Sequence, residues 1–484
     1  MFKSAINGVL AIAISTLFAG CTTLGPDFKA PPAPADAAFR HVDAGTNAAH
    51  LPATWWQVFG DATLDALETR ALRDNPGVEA AAQRLLQAQA QLGVVRAGQL
   101  PSVSVGAGVS NARTSSETSQ GLALGGRSIE GNNYSVAASF SYELDLWGRV
   151  RRIVEASDAQ ALAAQIDRDG VLLMLSGQVA SNYWQLRGLD AELAILRDAL
   201  ATRRESQDLI EARFNAGLSN ELDVSRTRIE RANAEADLHE VQRQRNLVEH
   251  ALATLVGASP TAPLLAAQLP DSPAAALPQP PAIPVGLPAS LVGQRPDLAA
   301  SVAQLKAANA QIGVAEGAFY PALSLTGNFG YASQSLNDLA SGGARQFSAG
   351  PLALSLPIFD GGRNRANLAL AQARYDEARA NHDTRLLTAL REVEDALSDV
   401  EQRHKQGDVQ AQSQQAAARA LLVAQARYER GVSTYLDVTD AQRSTLAADR
   451  AAAQIRTQRL LATVAVARAL GGGWEQGAAL ATVR

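Results

Sequence analysis

The side chains that could do chemistry in this chain are scattered rather than assembled. Six histidines, His41, His50, His239, His250, His382 and His404, are spread over 484 residues, and none stands at metal-ligand spacing from another. His239-Glu240 opens like the zinc-protease helix motif, but the position that motif needs as a second histidine is Arg243. No Gly-x-Ser-x-Gly elbow raises a serine for acyl transfer, and no phosphate-cradling glycine loop occurs. The expectation is a protein with no enzymatic activity, no metal and no cofactor. Cys21 is the only cysteine, so its thiol has no partner for an internal disulfide. What remains is ionic. Leu436, Asp440 and Arg443 stand at i, i+4 and i, i+3 spacings that place them on one helix face. The plainest reading of such a face is ordinary solvated helix surface.

The surroundings of Cys21 give its sulfur a second role. Lys3, an apolar run from Val9 to Phe18 and then Ala19-Gly20-Cys21 read as a secretory signal over residues 1–20 that ends at the cysteine. That ending resembles the bacterial lipoprotein box, in which the sulfur receives a diacylglycerol and the freed amine a third acyl chain. Thr22, not aspartate, follows, which resembles cargo sent on to the outer membrane. With 43 basic and 48 acidic residues the chain has no cationic excess to neutralise phosphates, so no nucleic-acid partner is expected. Beyond Cys21 no apolar stretch reaches the roughly 18 residues of a membrane-crossing helix, which leaves any bilayer crossing to strands.

The elements that would position these residues come in two copies. Residues 212–224 (ARFNAGLSNELDV) return as 426–438 (ARYERGVSTYLDV) with seven of thirteen positions identical, 214 positions later. Gly148-Arg149 meets Gly362-Arg363 at the same shift, whereas Gln91, Gly93, Val94, Pro101 and Ser104 meet Gln311, Gly313, Val314, Pro321 and Ser324 at a shift of 220. A period this long argues for a duplicated unit with a longer loop in its first copy, not for a short-repeat solenoid. Each copy holds two stretches of period-two alternation, predicting strands at about 102–112 and 132–145, and at about 321–331 and 347–358. In the last of these, Leu352, Leu354, Leu356 and Ile358 alternate, but Phe347 and Ala349 are out of phase. Alternation alone fits a half-buried sheet as readily as a barrel wall.

Helix fills most of the rest. No proline occurs between Ser102 and Ser259 or after Pro357, and Leu172, Leu175, Val179, Leu186, Leu189, Leu193, Leu196 and Leu200 keep a 3,4 spacing broken only at Asn182. Leu386, Leu390, Val393, Leu397 and Val400 do the same, so both copies predict helices packed as coiled coils. Gly217 and Gly431 are the turning points, since glycine reaches positive φ without strain, and the returning helices are placed at Glu221 to Leu255 and Tyr435 to Leu470. Residues 260–288 carry nine of the 20 prolines and read as an extended linker. The chain thus divides into signal 1–20, an extended lipidated segment 21–60, a first repeat 61–259, the linker, a second repeat 289–472 and a tail 473–484. Four strands cannot close a barrel, and a lipid-facing sheet cannot leave edges open. Other copies must supply the rest, three being favoured over two because about twelve strands leave a channel where eight nearly fill.

Gly25-Pro26-Asp27-Phe28, Trp55-Trp56 with Phe59-Gly60-Asp61, Tyr142-Glu143-Leu144-Asp145-Leu146-Trp147-Gly148-Arg149, Arg295-Pro296-Asp297, Phe319-Tyr320-Pro321 and Pro357-Ile358-Phe359-Asp360-Gly361-Gly362-Arg363 together resemble the outer membrane factor family. More narrowly, the chain is similar to the NodT-type efflux lipoproteins among the TolC-like channels, over essentially all of its mature length.

That resemblance implies a mainly helical α+β fold. Duplicated strand-hairpin and helical-hairpin units would build a trimeric twelve-stranded outer-membrane barrel continuing into a coiled-coil periplasmic tunnel. It implies the passive exit duct of a tripartite efflux pump, a homotrimer among outer-membrane lipids that docks to a periplasmic adaptor and through it to an inner-membrane transporter of the RND type. By the same resemblance Leu436, Asp440 and Arg443 narrow the periplasmic aperture. Arg226, the repeat-equivalent of Asp440, is a candidate partner for that acid, and Arg213, Gly217, Leu222, Arg427 and Gly431 form the adaptor-docking tips. Two alternatives stay open, an exit duct for type I protein secretion and a periplasmic adaptor lipoprotein, although the latter has one helical hairpin where this chain has two. Trp55, Trp56, Trp147 and Trp184 read as core packing or interfacial anchors. Glu143 and Asp145 either line a lumen or sit solvated at a junction, with Arg149 and Arg363 as candidate partners.

Overall fold

The computed structural model describes residues 23–32, 39–40, 51–123, 125–265, 277–283 and 291–474. Cys21, the signal segment, much of the proline-rich linker and the tail after Trp474 lie outside these residues. The long elements are α1 (Ala62–Asp74), α2 (Pro76–Ala97), β1 (Ser102–Arg113), β2 (Glu130–Leu144), α3 (Arg149–Asn215) and α4 (Glu221–Leu255), followed by α5 (Pro296–Gly317), β3 (Ala322–Ser333), β4 (Arg345–Ser355), α6 (Arg363–Glu429) and α7 (Tyr435–Ala469). At 67 residues each, α3 and α6 rise on the order of 100 Å. No helix among the described residues is both long and apolar enough to cross a membrane.

Side chains fix the helix starts where the sequence supplies oxygen. Asp61 Oδ1 accepts from the amides of Thr63 (2.9 Å) and Leu64 (3.0 Å) at the head of α1, and Pro76 opens α2 at the position where a missing amide costs nothing. Asp145 accepts from the amides of Val150 (3.1 Å) and Arg151 (2.9 Å), starting α3, and Asp360 accepts from Gly362 and Asn364 (both 2.9 Å), starting α6.

The chain forms two compact units. The first comprises Met1–Pro31, Leu85–Ala164 and Ser301–His382 and holds the one sheet found among the described residues, antiparallel in the order β1-β2-β3-β4. The sequence placed all four strands but misjudged the ends of β4. This strand stops at Ser355, before Pro357, which has no amide to donate to a ladder, and Leu356 and Ile358 lie beyond it. The phase break has a structural cause. Leu325 faces Leu352 and Gly327 faces Ala349, so two steps on β3 span three on β4, a bulge at Gly350-Pro351. By absorbing that extra residue, the bulge returns Phe347 and Ala349 to the same face as Leu352 and Leu354.

The second unit, Pro32–Arg84, Gln165–Ala300 and Asp383–Arg484, holds the main core. Trp55, Trp56, Phe59, Leu64, Tyr183, Trp184 and Leu186 pack together there, with Trp55 Nε1 donating to Ser176 Oγ at 3.1 Å. Of the 3,4 stripe of α3, Leu175, Val179 and Leu186 face this core and Leu189, Leu193 and Leu196 a second cluster with Val241 of α4, while Asn182, which breaks the stripe, turns its amide to the Gln178 carbonyl. In the same unit α4 spans the residues expected, Glu221–Leu255, and α7 ends one residue earlier than expected, at Ala469.

Candidate functional site

The sheet sorts its side chains by face. Register places Val103, Val105, Ala107 and Val109 opposite Phe140, Ala138, Val136 and Tyr134. These face Gly327, Phe329, Tyr331 and Ser333 on β3, and Phe329 in turn faces Phe347. The other face carries Ser102, Ser104, Gly106, Gly108 and Ser110 on β1, Ser135, Ala137, Ser139, Ser141 and Glu143 on β2, and Ser324, Thr326, Asn328 and Gly330 on β3. One face is therefore a continuous apolar band and the other small and polar, the distribution of a membrane wall around water. The apolar band is bare in the single chain, Val105 being 73% and Phe347 79% exposed. The outer ladders of β1 and β4 have no partner strand among the described residues.

Just past β2, Trp147 Nε1 donates to the Pro321 carbonyl at 2.9 Å and its ring lies 5.2 Å from that of Tyr320. Arg149 grips Glu143 through Nε and Nη2 at 2.7–3.0 Å, the pairing expected there. Asp145 is met by Arg151 at 3.2 Å, not by Arg149 or Arg363. The reason is geometric. Asp145 caps the first turn of α3, and the side chain of Arg151 is the one that turn brings to it.

The helical tips are in the second unit. Gly217 (φ +75°) and Gly431 (φ +74°) end α3 and α6 with the same hydrogen bonds, from the Leu218 amide to the Arg213 carbonyl at 2.8 Å and from the Val432 amide to the Arg427 carbonyl at 2.9 Å. Asn220 Oδ1 then caps α4 through the Asp223 amide (2.9 Å), and Asp437 Oδ2 accepts from the Thr434 amide (3.1 Å) at the start of α7. Ile210, Val224, Tyr435 and Val438 form a small core that joins the hairpins, and the Arg213 guanidinium lies 5.3 Å from the centroid of the Tyr428 ring. Around it Leu218, Leu222 and Val432 remain exposed, and Leu436 is 38% exposed.

The expected ionic face has a different centre. Asp440 does meet Arg443, at 3.5 Å with both side chains more than half exposed. Arg226 does not reach Asp440 within the chain; it pairs with Asp223, one turn back on α4, at 3.6 Å. The principal partner of Arg443 is Glu230, which takes its Nε and Nη2. Glu230 is buried and also holds the buried Arg203 of α3, at 3.4 Å. Burial pulls the Arg203 guanidinium below its ordinary value, opposed by Glu230 and Asp237. One heptad on, Arg450 repeats the device with Glu192 (2.7 Å) and Asp237 (2.9 Å). Two ionic layers thus tie α7 to α3 and α4. Glu230 was not among the sequence candidates, yet it carried a signal, a carboxylate on the stripe Val224, Thr227, Glu230, Ala234 that α4 otherwise buries as apolar or small residues.

No group of three or more metal-binding side chains comes together among the described residues. Sequence comparison matches residues 67–258 and 287–472 to the family described as outer membrane efflux protein. The chain is 35% identical to the outer membrane protein OprJ of Pseudomonas aeruginosa, over 99% of this chain and 98% of that one. It is 34% identical to the toluene efflux pump outer membrane protein TtgF of Pseudomonas putida, over 96% and 97%. Among solved structures, the Campylobacter jejuni CmeC outer membrane channel superposes with a TM-score of 0.84 at 27% identity, covering 94% of this chain and 96% of that one. The fold class is that of these channels, a trimeric barrel with a helical tunnel. With the family match covering both repeats, the chain belongs to the outer membrane efflux protein family.

Proposed function

We propose that three copies of this chain form the exit duct of a tripartite efflux pump in the outer membrane. The duct passes small molecules passively from an inner-membrane transporter of the RND type, by way of a periplasmic adaptor, to the exterior, and does no chemistry itself. The observation that carries this reading is the four-stranded sheet. It has one apolar face, one face of small polar residues, and both edges open. Open edges are not tolerated against lipid, and three such sheets supply the twelve strands that enclose a water-filled bore. The efflux-pump names of the relatives support the same role. In this reading the exposed leucines and valine around Gly217 and Gly431 meet the adaptor, the Asp440 and Arg443 face narrows the entrance, and acylated Cys21 adds an anchor.

The test is reconstitution. In a strain deprived of its own duct, the chain expressed with its adaptor and transporter should restore resistance to small toxic compounds, and the purified protein should conduct ions across planar bilayers. Restored secretion of a polypeptide with no small-molecule export would instead assign it to type I secretion. Labelling with a radioactive fatty acid tests the anchor separately, because Cys21→Ser should lose the label.

A further inference from the structure

The described chain begins with a strap, Thr23–Lys29, held by its main chain on the sheet-bearing unit. Arg152, in the first turn of α3 with its side chain only 5% exposed, donates from Nε to the Leu24 carbonyl (2.9 Å) and from Nη2 to the Gly25 carbonyl (3.2 Å) and Asp27 Oδ1 (3.3 Å). Its remaining nitrogen, Nη1, donates to Glu155 at 2.7 Å. Asn309, buried on α5, donates to the Pro26 carbonyl at 2.7 Å. Three successive carbonyls are therefore each taken by a buried side chain, and the Leu24 amide donates in return to the Trp147 carbonyl at 3.1 Å. The approach is too close for larger residues. A Cβ on Gly25, whose φ is +91°, would fall onto the Gly313 backbone, and one on Gly148 would lie 2.7 Å from the Thr23 side chain.

A guanidinium withdrawn from water is costly unless its donors are satisfied, and without the strap Arg152 would keep only Glu155. The groove is built for an occupant, and conduction does not need one. We propose that Arg152 and Asn309 form a receptor for the chain's own N-terminal strap, which holds whatever the chain carries upstream of Thr23 beside the base of β2. The partner is a segment of the same chain, recognised through its carbonyls and through two glycine contacts. This inference rests on the outer-membrane reading for its consequence. Trp147 directly follows the strand whose apolar face meets lipid, and Cys21 is two residues before Thr23, within about 7 Å of extended chain. An acyl group on Cys21 is then confined to the membrane boundary of its own barrel instead of ranging on a loose tether.

The experiment is hydrogen exchange over the strap in the detergent-solubilised trimer, for the parent and three variants. Gly25→Ala alters only the strap, Arg152→Met only the receptor, and Cys21→Ser, secreted from an ordinary cleavable signal, only the acyl acceptor. Loss of charge-assisted hydrogen bonds should speed exchange at the Leu24 amide about tenfold or more in the first two variants, with Cys21→Ser unchanged. If Arg152→Met fails to fold, Gly25→Ala decides alone, because its receptor is intact. Unchanged exchange in Gly25→Ala overturns the proposal. So does protection lost in Cys21→Ser, which would make the lipid, not the receptor, the holder of the strap. Conductance should stay at the parental level in Gly25→Ala, and its loss from the parent itself would count against the duct and not against the receptor.

Discussion

Glu230 holds two guanidinia at once, Arg203 from within the core and Arg443 from the surface, and this unequal pair of partners sets what each substitution does. Asp440→Ala removes an exposed contact of about 0–1 kcal/mol, so a small rise in single-channel conductance is expected. Arg443→Ala releases α7 from Glu230 while Arg203 still satisfies the acid, and conductance and sensitivity to bulky antibiotics should rise further. Glu230→Ala strands Arg203 in the core, at a cost of about 3–5 kcal/mol, and should show as a lower melting temperature of the trimer. Equal conductance in all three variants and the parent would remove this cluster from the gate. A second buried acid makes stability depend on pH. Burial pushes the Glu68 carboxyl up to about 9, so the folded chain keeps it neutral. Its folded value is raised above the ordinary one, so the folded state binds the extra proton between about 4.5 and 9. The contribution is full below that window and is lost as the pH rises through it. Thermal unfolding of Glu68→Gln should show a flatter decline than the parent from neutral pH to pH 9, and an identical decline would clear Glu68 of this role.

Among the elements, the tips and the last strand depend most on single residues. Gly217→Val or Gly431→Val forces a β-branched side chain into positive φ, costing about 1–3 kcal/mol at the turn. Adaptor crosslinking should fall while trimer and membrane levels hold, and unaltered crosslinking in both would place docking elsewhere. The bulge at Gly350-Pro351 already takes up one extra residue, so deleting Ser348, outside the bulge, should throw Phe347 out of step with Ala349 and onto the polar face. The measurement is the yield of heat-resistant trimer, expected to drop sharply. That bulge marks the limit of what the sequence made legible. Alternation located the strands and glycine located both turns, because each depends on local backbone geometry, and α4 fell on the residues expected. The phase error at Phe347 could not be resolved from spacing, since one inserted residue is visible only against the partner strand. The Arg443–Glu230 contact was hidden for a related reason. The two residues lie 213 positions apart, and Arg226, the candidate that repeat equivalence supplied, binds Asp223 instead.

At the scale of the whole molecule, the open edges of β1 and β4 demand neighbours, so the mature protein should purify in detergent as a trimer. A cysteine on β1 combined with cysteines scanned along β4 should crosslink between chains and not within one. A stable monomer soluble without detergent would contradict the barrel. The contact between Arg443 and Glu230 has a further meaning when set against the duplication. The repeat-equivalents of these two residues are Ile229 and Ser444, so the base stands on one half and the acid on the other. A single-unit ancestor would need six identical copies to reach twelve strands, and every copy would carry the same residue at each site. Fusing two units broke that sixfold sameness to threefold. Going round the ring, adjacent hairpins need not match, and a partner approaching the tips meets two alternating kinds of cleft, each free to acquire its own sequence.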